Sequence, residues 1–251
     1  MRRACLLVLL LIPLLYSCAT RIETVQEESD ADVLVAKLKE YNSSIHAIEA
    51  AALLMYSDGD KTYSFRVQVT VHNNGENMRL DLSDFVFKKP ILTIVKNNDK
   101  VTALLHTQKK YYLTTYEDLN IEELSGLKIR KEILLHALMG KIYVDSEGGS
   151  AISPDPETLI IETEEYRETI TFDNDWLPRS AEFIVDYDVY SMTLKSFTSI
   201  EGVYFPGKVT LTNLNRKLEA TYKEVRVNGT IDAGLFLVDE KSFPGYTRES
   251  L

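Results

Sequence analysis

The amino-acid sequence predicts a mainly β fold of the α+β class, a curled, barrel-like antiparallel sheet of roughly ten to twelve strands with one helical insert. Three observations carry this expectation. Apolar and polar residues alternate over most of the chain, as half-buried strands require. A helical period shows in only two stretches. Dipeptides such as Asp58-Gly59 and Asn74-Gly75 separate the alternating runs, as hairpin turns do. The chain has 251 residues, 45% of them hydrophobic, with only 11 Gly and 7 Pro, enough apolar side chains for a sizeable core.

The first helix is expected over residues 31–41, where Leu34, Leu38 and Tyr41 share one face; Asp30 is its candidate N-cap and Asn42-Ser43 its end. The first clear strand is residues 63–72, with Tyr63, Phe65, Val67, Val69 and Val71 on one face. Met78, Leu80 and Leu82 continue the alternation. Residues 91–95, 101–106 and 111–116 read as the rest of an antiparallel meander, with turns at Asn97-Asn98-Asp99 and Lys109-Lys110. The helical period returns between Ile121 and Leu138 and closes at Gly140. A loop over residues 145–156, containing Gly148-Gly149, Pro154 and Pro156, leads to a second series of strands at 158–163, 168–172, 181–189, 192–197, 208–212 and 218–227. That loop could also be a linker between two small β domains.

The N-terminus reads as an export segment. Arg2 and Arg3 precede an apolar run from Ala4 to Leu15, too short for a comfortable membrane span. Leu15-Tyr16-Ser17-Cys18 resembles a bacterial lipobox, in which a small residue precedes the Cys that is acylated and becomes the mature N-terminus. Residues 1–17 are then the signal peptide, and cleavage removes Arg2, Arg3 and Cys5. Residues 18–30 are a lipidated Cys18 and a polar tether. More than one acyl chain on that cysteine makes the anchoring durable.

Composition excludes several classes of function. The formal charge is −10, and a general nucleic-acid binder needs a cationic surface. Cys5 and Cys18 are the only cysteines and both lie near the start, which leaves no disulfide staple and no cysteine metal site in the fold. The chain lacks His-Glu-x-x-His, Gly-x-Ser-x-Gly and a phosphate-binding glycine loop, so neither catalysis nor a metal or other cofactor is expected. His46, His72, His106 and His136 are scattered and read as surface or edge residues. Glu162, Glu164, Glu165 and Glu168 read as a solvated face, and Asp173-Asn174-Asp175 as a turn. Phe85-Val86-Phe87, followed by Lys88-Lys89-Pro90, stands where a polar turn is expected. These residues either alternate into the core or form an apolar tip flanked by cations, which suits an anionic lipid surface.

In order and motif the chain resembles the outer-membrane lipoprotein receptor LolB and the related periplasmic carrier LolA. The resemblance rests on the lipobox, the first amphipathic helix, and a meander. It continues with the insert Glu123-Leu124-Ser125-Gly126-Leu127-Lys128-Ile129, then Ile133-Leu134-Leu135-His136-Ala137-Leu138-Met139-Gly140, and a second meander. Phe205-Pro206-Gly207-Lys208-Val209 and Ile231-Asp232-Ala233-Gly234-Leu235-Phe236 add to it. The resemblance implies an unclosed antiparallel β-barrel domain over residues 31–240, with a helical lid drawn from an insert at 119–140 and a tail at 241–251. It implies an apolar cavity for the acyl chains of lipoproteins or similar lipids, and a role in lipoprotein localisation. On that reading the lid carries Leu34, Leu38, Leu134 and Leu138. The cavity wall carries Phe65, Val67, Leu80, Leu82, Phe172, Phe183 and Leu211. Phe85, Val86 and Phe87 match the family's membrane-insertion loop, although the family's Pro-Leu-Gly-like sequence is absent from it. The implied protein is a monomer, lipid-anchored to the outer membrane, facing the periplasm, and served by a soluble LolA-like carrier. The alternative is a structural envelope lipoprotein whose barrel is packed solid; a hydrolase acting on envelope polymers would need carboxylates that converge in a cleft.

Overall fold

The computed structural model describes residues 30–125, 129–144, 149–163, 166–185, 188–239, 241 and 243–249. Helix α1 (Asp30–Ser44) leads into one continuous sheet. The first series of strands is β1 (Ile48–Asp58), β2 (Lys61–His72), β3 (Asn77–Asp84), β4 (Pro90–Asn97), β5 (Lys100–Leu105) and β6 (Lys110–Thr115). Helices α2 (Ile121–Ser125) and α3 (Lys131–Leu138) follow. The second series is β7 (Ser150–Asp155), β8 (Thr158–Glu162), β9 (Tyr166–Phe172), β10 (Pro178–Val185), β11 (Asp188–Ile200), β12 (Val203–Asn213) and β13 (Arg216–Val227), and β14 (Thr247–Glu249) comes last. The signal segment, Cys18 and the tether up to Ser29, together with Gly126-Leu127-Lys128, lie outside the described residues.

The sheet has 14 strands in the order β14-β6-β5-β4-β3-β2-β1-β13-β12-β11-β10-β9-β8-β7. Its ends, β14 and β7, do not pair with each other, so the barrel is unclosed. The two meanders join through β1 and β13, which pair antiparallel from Ile48↔Val227 to Asp58↔Arg216. Strand β1 carries no strand signal in the sequence. Its Ile-Glu-Ala-Ala-Ala-Leu-Leu-Met run favours a helix by propensity, yet it pairs on both sides, with β13 and with β2, and tertiary pairing overrides that preference. Small Ala50 and Ala52 stand on its buried face.

Two other boundaries differ from expectation. The supposed loop at 145–156 contains β7, an edge strand whose side chains are mostly exposed and therefore show no alternation. The supposed strand 181–189 is the end of β10 and the start of β11, paired from Ser180↔Thr193 to Val185↔Asp188. Residues on both sides of that hairpin are apolar, which hides the turn.

Both sheet edges are covered, as stable open sheets require. Helix α1 packs over β7 and β8. At the other edge the C-terminal segment, expected as a tail, adds β14 parallel to β6. A hydrogen-bonded chain on the outer face fixes it there. Arg79 Nε donates to Asp81 Oδ2 at 2.6 Å, Thr93 Oγ1 donates to Asp81 Oδ1 at 2.6 Å, and His106 Nε2 lies 3.0 Å from Thr93 Oγ1. Because the Thr93 proton is committed to Asp81, His106 Nε2–H donates to Thr93, and Nδ1 accepts from the Tyr246 hydroxyl at 2.8 Å. Phe243 packs edge-on against Tyr111 and Tyr246.

Burial lowers the His106 pKa below its ordinary 6.5; Asp81 opposes that shift and Arg79 reinforces it. A depressed folded-state pKa means that this contribution is present above about pH 6.5 and is lost as pH falls through the folded value. Amide exchange at Tyr246–Glu249, corrected for intrinsic rates, is therefore expected to accelerate between pH 7.5 and pH 5. His106→Gln, which retains an Nε2–H donor, is expected to remove most of that pH dependence.

Candidate ligand-binding cavity and rim

The concave face of the sheet is apolar over most of its strands. Alternate residues of each strand point inward, including Val67, Val69 and Val71 on β2, Met192 and Leu194 on β11, and Leu218 and Ala220 on β13, and all are buried. Of the expected wall residues, Val67, Phe172, Phe183 and Leu211 are buried, while Phe65, Leu80 and Leu82 are half-buried against the same core. The expected lid residues Leu34, Leu38, Leu134 and Leu138 are buried in that core as well. They divide between two tasks: Leu34 and Leu38 belong to the helix over the β7–β8 edge, and Leu134 and Leu138 to the helix that fills the interior.

Helix α3 is the plug. Leu134, Leu135 and Leu138 face Met78, Leu80 and Ile94 across a void of about 20 Å³, scarcely the volume of one water molecule. Among the described residues, this part of the inward face is thus closely covered by α3.

Sequence reasoning missed the groups that hold the plug down. The Tyr222 hydroxyl donates to Leu138 O at 2.7 Å and to Ala137 O at 3.3 Å, and the Tyr41 hydroxyl donates to Gly140 O at 2.5 Å. Ala137 O also accepts from Gly140 N at 3.0 Å, whereas Leu138 O is one of the carbonyls that the last turn of a helix leaves without a backbone donor. Burial raises the pKa of both phenols, so they remain donors. Gly140 (φ +68°) ends the helix, and a Cβ there would stand 2.9 Å from Pro206. The legible signal for Tyr222 is its phase, two residues beyond buried Ala220 on the inward face.

A cleft of about 630 Å³ lies between residues 117–122 and 129–132 and the turn ends of β11, β12 and β13. Registers put this cleft at the end of the sheet that also carries the β3–β4 turn, since Arg216 pairs with Asp58 and Phe65 pairs with Asp84. The turn exposes its apolar residues instead of alternating them into the core: Phe85 is 41%, Val86 70% and Phe87 75% exposed. It is not a floppy tip. Asp84 Oδ1 accepts from Val86 N at 2.9 Å and Phe87 N at 2.7 Å, and Phe85 O accepts from Arg66 Nε at 3.1 Å. Arg66 and Lys89 stand over the Phe85 and Phe87 rings. Leu214, in the β12–β13 turn at the same end, is 83% exposed.

Other polar groups depart from expectation. Glu168 is fully buried on the inward face of β9, not part of a solvated run, and its Oε2 accepts from the Tyr166 hydroxyl at 2.7 Å; strand phase puts it there. His106 and His136 are half-buried in networks and not free surface residues; His136 Nδ1 lies 2.9 Å from Glu132 O, and burial lowers its pKa. Asp173 forms the expected turn, accepting from the Asp175 and Leu177 amides. Among the described residues no group of three or more His, Cys, Asp or Glu can hold a metal, and no helix is long and apolar enough to cross a membrane.

An open antiparallel sheet wrapped around internal helices matches solved structures. A putative outer membrane lipoprotein-sorting protein domain from Vibrio parahaemolyticus superposes with a TM-score of 0.60 at 9% identity, over 84% of this chain and 96% of that one. A LolA superfamily protein from Nitrosomonas europaea gives 0.56 at 13% identity, over 83% and 97%. The fold is LolA-like. A DUF1329 family protein from Desulfovibrio piger gives 0.53 at 12% identity, over 85% and 97%. No protein-family model matches the sequence, and no curated protein matches it. The LolA-like likeness thus lies in the fold, at identities far below those of close relatives.

Removing the Tyr222 hydroxyl takes the donor from the buried Leu138 carbonyl, a loss of about 1–3 kcal/mol. Tyr222→Phe is expected to lower the urea midpoint accordingly, and to increase amide exchange in α3 more than in β12 or β13.

Proposed function

We propose that this is a lipid-anchored envelope protein that takes acyl chains of lipoproteins, or similar lipids, into the space now filled by α3. The observation that carries this reading is the pairing of an apolar concave face with a short, separately held helical plug on one unclosed sheet. Each buried methylene contributes about 0.8 kcal/mol, so a chain of a dozen methylenes supplies on the order of 10 kcal/mol. That is comparable with the apolar contacts α3 gives up when displaced. Binding and release need no covalent chemistry and no nucleotide. The LolA-like fold supports the same reading.

Phe85, Val86 and Phe87 are the proposed membrane-touching tip. They stand at the end of the sheet where the cleft opens, with Arg66, Lys88 and Lys89 around them to meet anionic headgroups. Cys18, after removal of residues 1–17, is the proposed anchor. The polar stretch to residue 30 is the tether, and residues 31–240 are the working domain. On this reading the protein is monomeric, faces the periplasm from the outer membrane, and receives cargo from a soluble LolA-like carrier. A second reading, a scaffold with a permanently packed barrel, draws on the void of only about 20 Å³ beneath α3.

Native mass spectrometry separates the two. The mature protein purified from membranes is expected to retain an acylated peptide or lipid, and Leu80→Asp with Leu82→Asp, on the wall and not on the plug, is expected to abolish retention. A ligand-free protein that also fails to take up a fluorescent fatty-acyl probe supports the scaffold.

A further inference from the structure

The inward-facing residues change character in one step at the cleft end of the sheet. One register row across β10 to β2 reads Phe183, Tyr190, Asn213, Arg216, Asp58, Lys61. The row one step deeper reads Ala181, Met192, Leu211, Leu218, Tyr56. From β12 to β1 an apolar wall is therefore topped by a polar collar, and two donors at their junction make no hydrogen bond. The Tyr56 hydroxyl and Arg216 Nε are both buried without a hydrogen bond. Tyr56 as a whole is only 7% exposed, and Arg216 Nε is held in a long ion pair with Asp58 Oδ1 at 3.5 Å. Arg216 lines the 630 Å³ cleft, and Tyr56 lies in the field of Asp58, Arg216 and the cleft's Glu122. Buried donors in folded proteins are ordinarily satisfied, so two together at the mouth of an apolar space mark a place for an acceptor oxygen.

The charge around them decides which kind of oxygen. Five carboxylates line the cleft against three cations, and Asp58 already stands beside Arg216. A carboxylate or phosphate entering here meets net repulsion, whereas a neutral carbonyl meets only the donors. We propose that Tyr56 and Arg216 form a head-group site for the neutral ester or amide carbonyl of an acyl ligand. The site selects acylated glycerol or acylated peptide over free fatty acid. This inference rests on the acyl-binding reading above and deepens it.

The test is competition on the mature protein against pyrenyl-dodecane, a hydrocarbon probe with no polar end. Monopalmitoylglycerol is expected to displace the probe at lower concentration than palmitate does. Tyr56→Phe is expected to weaken monopalmitoylglycerol by about 5–10-fold, the value of one hydrogen bond, and to shift the probe's own affinity by much less than that. Because that variant removes an unsatisfied buried hydroxyl, its ligand-free melting temperature is expected to hold or rise, which separates the effect from misfolding. Arg216→Met is expected to act on the ester in the same direction. Dipalmitoylglyceryl-cysteinyl peptide run in parallel tells whether the ester belongs to a lipoprotein or to a glycerolipid. Palmitate binding better than the ester, or an ester affinity untouched by Tyr56→Phe while the probe still binds, overturns the head-group site alone. Failure of every ligand, including the probe, overturns the acyl-binding reading and this inference with it.

Discussion

The rest of the structure depends on covering one apolar concave surface. A sheet of 14 strands that curls without closing presents a continuous inward face of Val, Leu, Met and Phe, which water would otherwise wet. The sheet cannot cover it by closing, because its two ends do not pair. The chain therefore inserts α2 and α3 between the two meanders. Leu134, Leu135 and Leu138 fill the interior, and the carbonyls left at the end of α3 are handed to Tyr222 and Tyr41. Hydrophobic contact supplies the driving force, and two phenolic hydrogen bonds set the position.

Such a cover is stable yet local. Strand β1 is paired along its whole length on both flanks, with β2 and with β13, and β13 pairs in turn with β12 from Lys208↔Thr221 to Asn213↔Arg216; together they form the middle of the sheet. Helix α3 has only 8 residues, too few to be stable as an isolated helix, so it keeps its form chiefly through contacts with the sheet. An acyl chain that offers the sheet equivalent apolar surface competes with the helix for the same partners. The cleft at the turn end, its collar of Asn213, Arg216 and Asp58, and the exposed tip at Phe85–Phe87 all stand at one end of the barrel. An amphiphile arriving from a membrane on that side would meet tip, collar and wall in that order.

Much of this was legible in the sequence. Period-two alternation located β2, β3 and most of the second meander, because one face of each strand is buried and the other wet. The helical insert was visible from its apolar stripes. What escaped shares a physical cause: the deciding contact is nonlocal. Strand β1 is an alanine- and leucine-rich run that becomes a strand only between β2 and β13. Strand β7 has exposed side chains on both faces and is held by its backbone ladder. Glu168, Tyr56 and Arg216 gain their meaning from facing inward, a matter of register and not of residue type. The tip was visible as an oddity, three apolar residues before Lys88-Lys89-Pro90. Its exposure depended on Asp84, whose carboxylate closes the turn.

The most direct measurement is amide hydrogen exchange with and without a palmitoylated ligand. If acyl chains enter by displacing the plug, the amides of Lys131–Leu138 lose protection on binding while β1, β12 and β13 keep theirs. If the ligand binds and α3 stays as protected as before, or if protection rises evenly across the sheet, acyl chains do not occupy the space beneath α3 and the central claim is wrong.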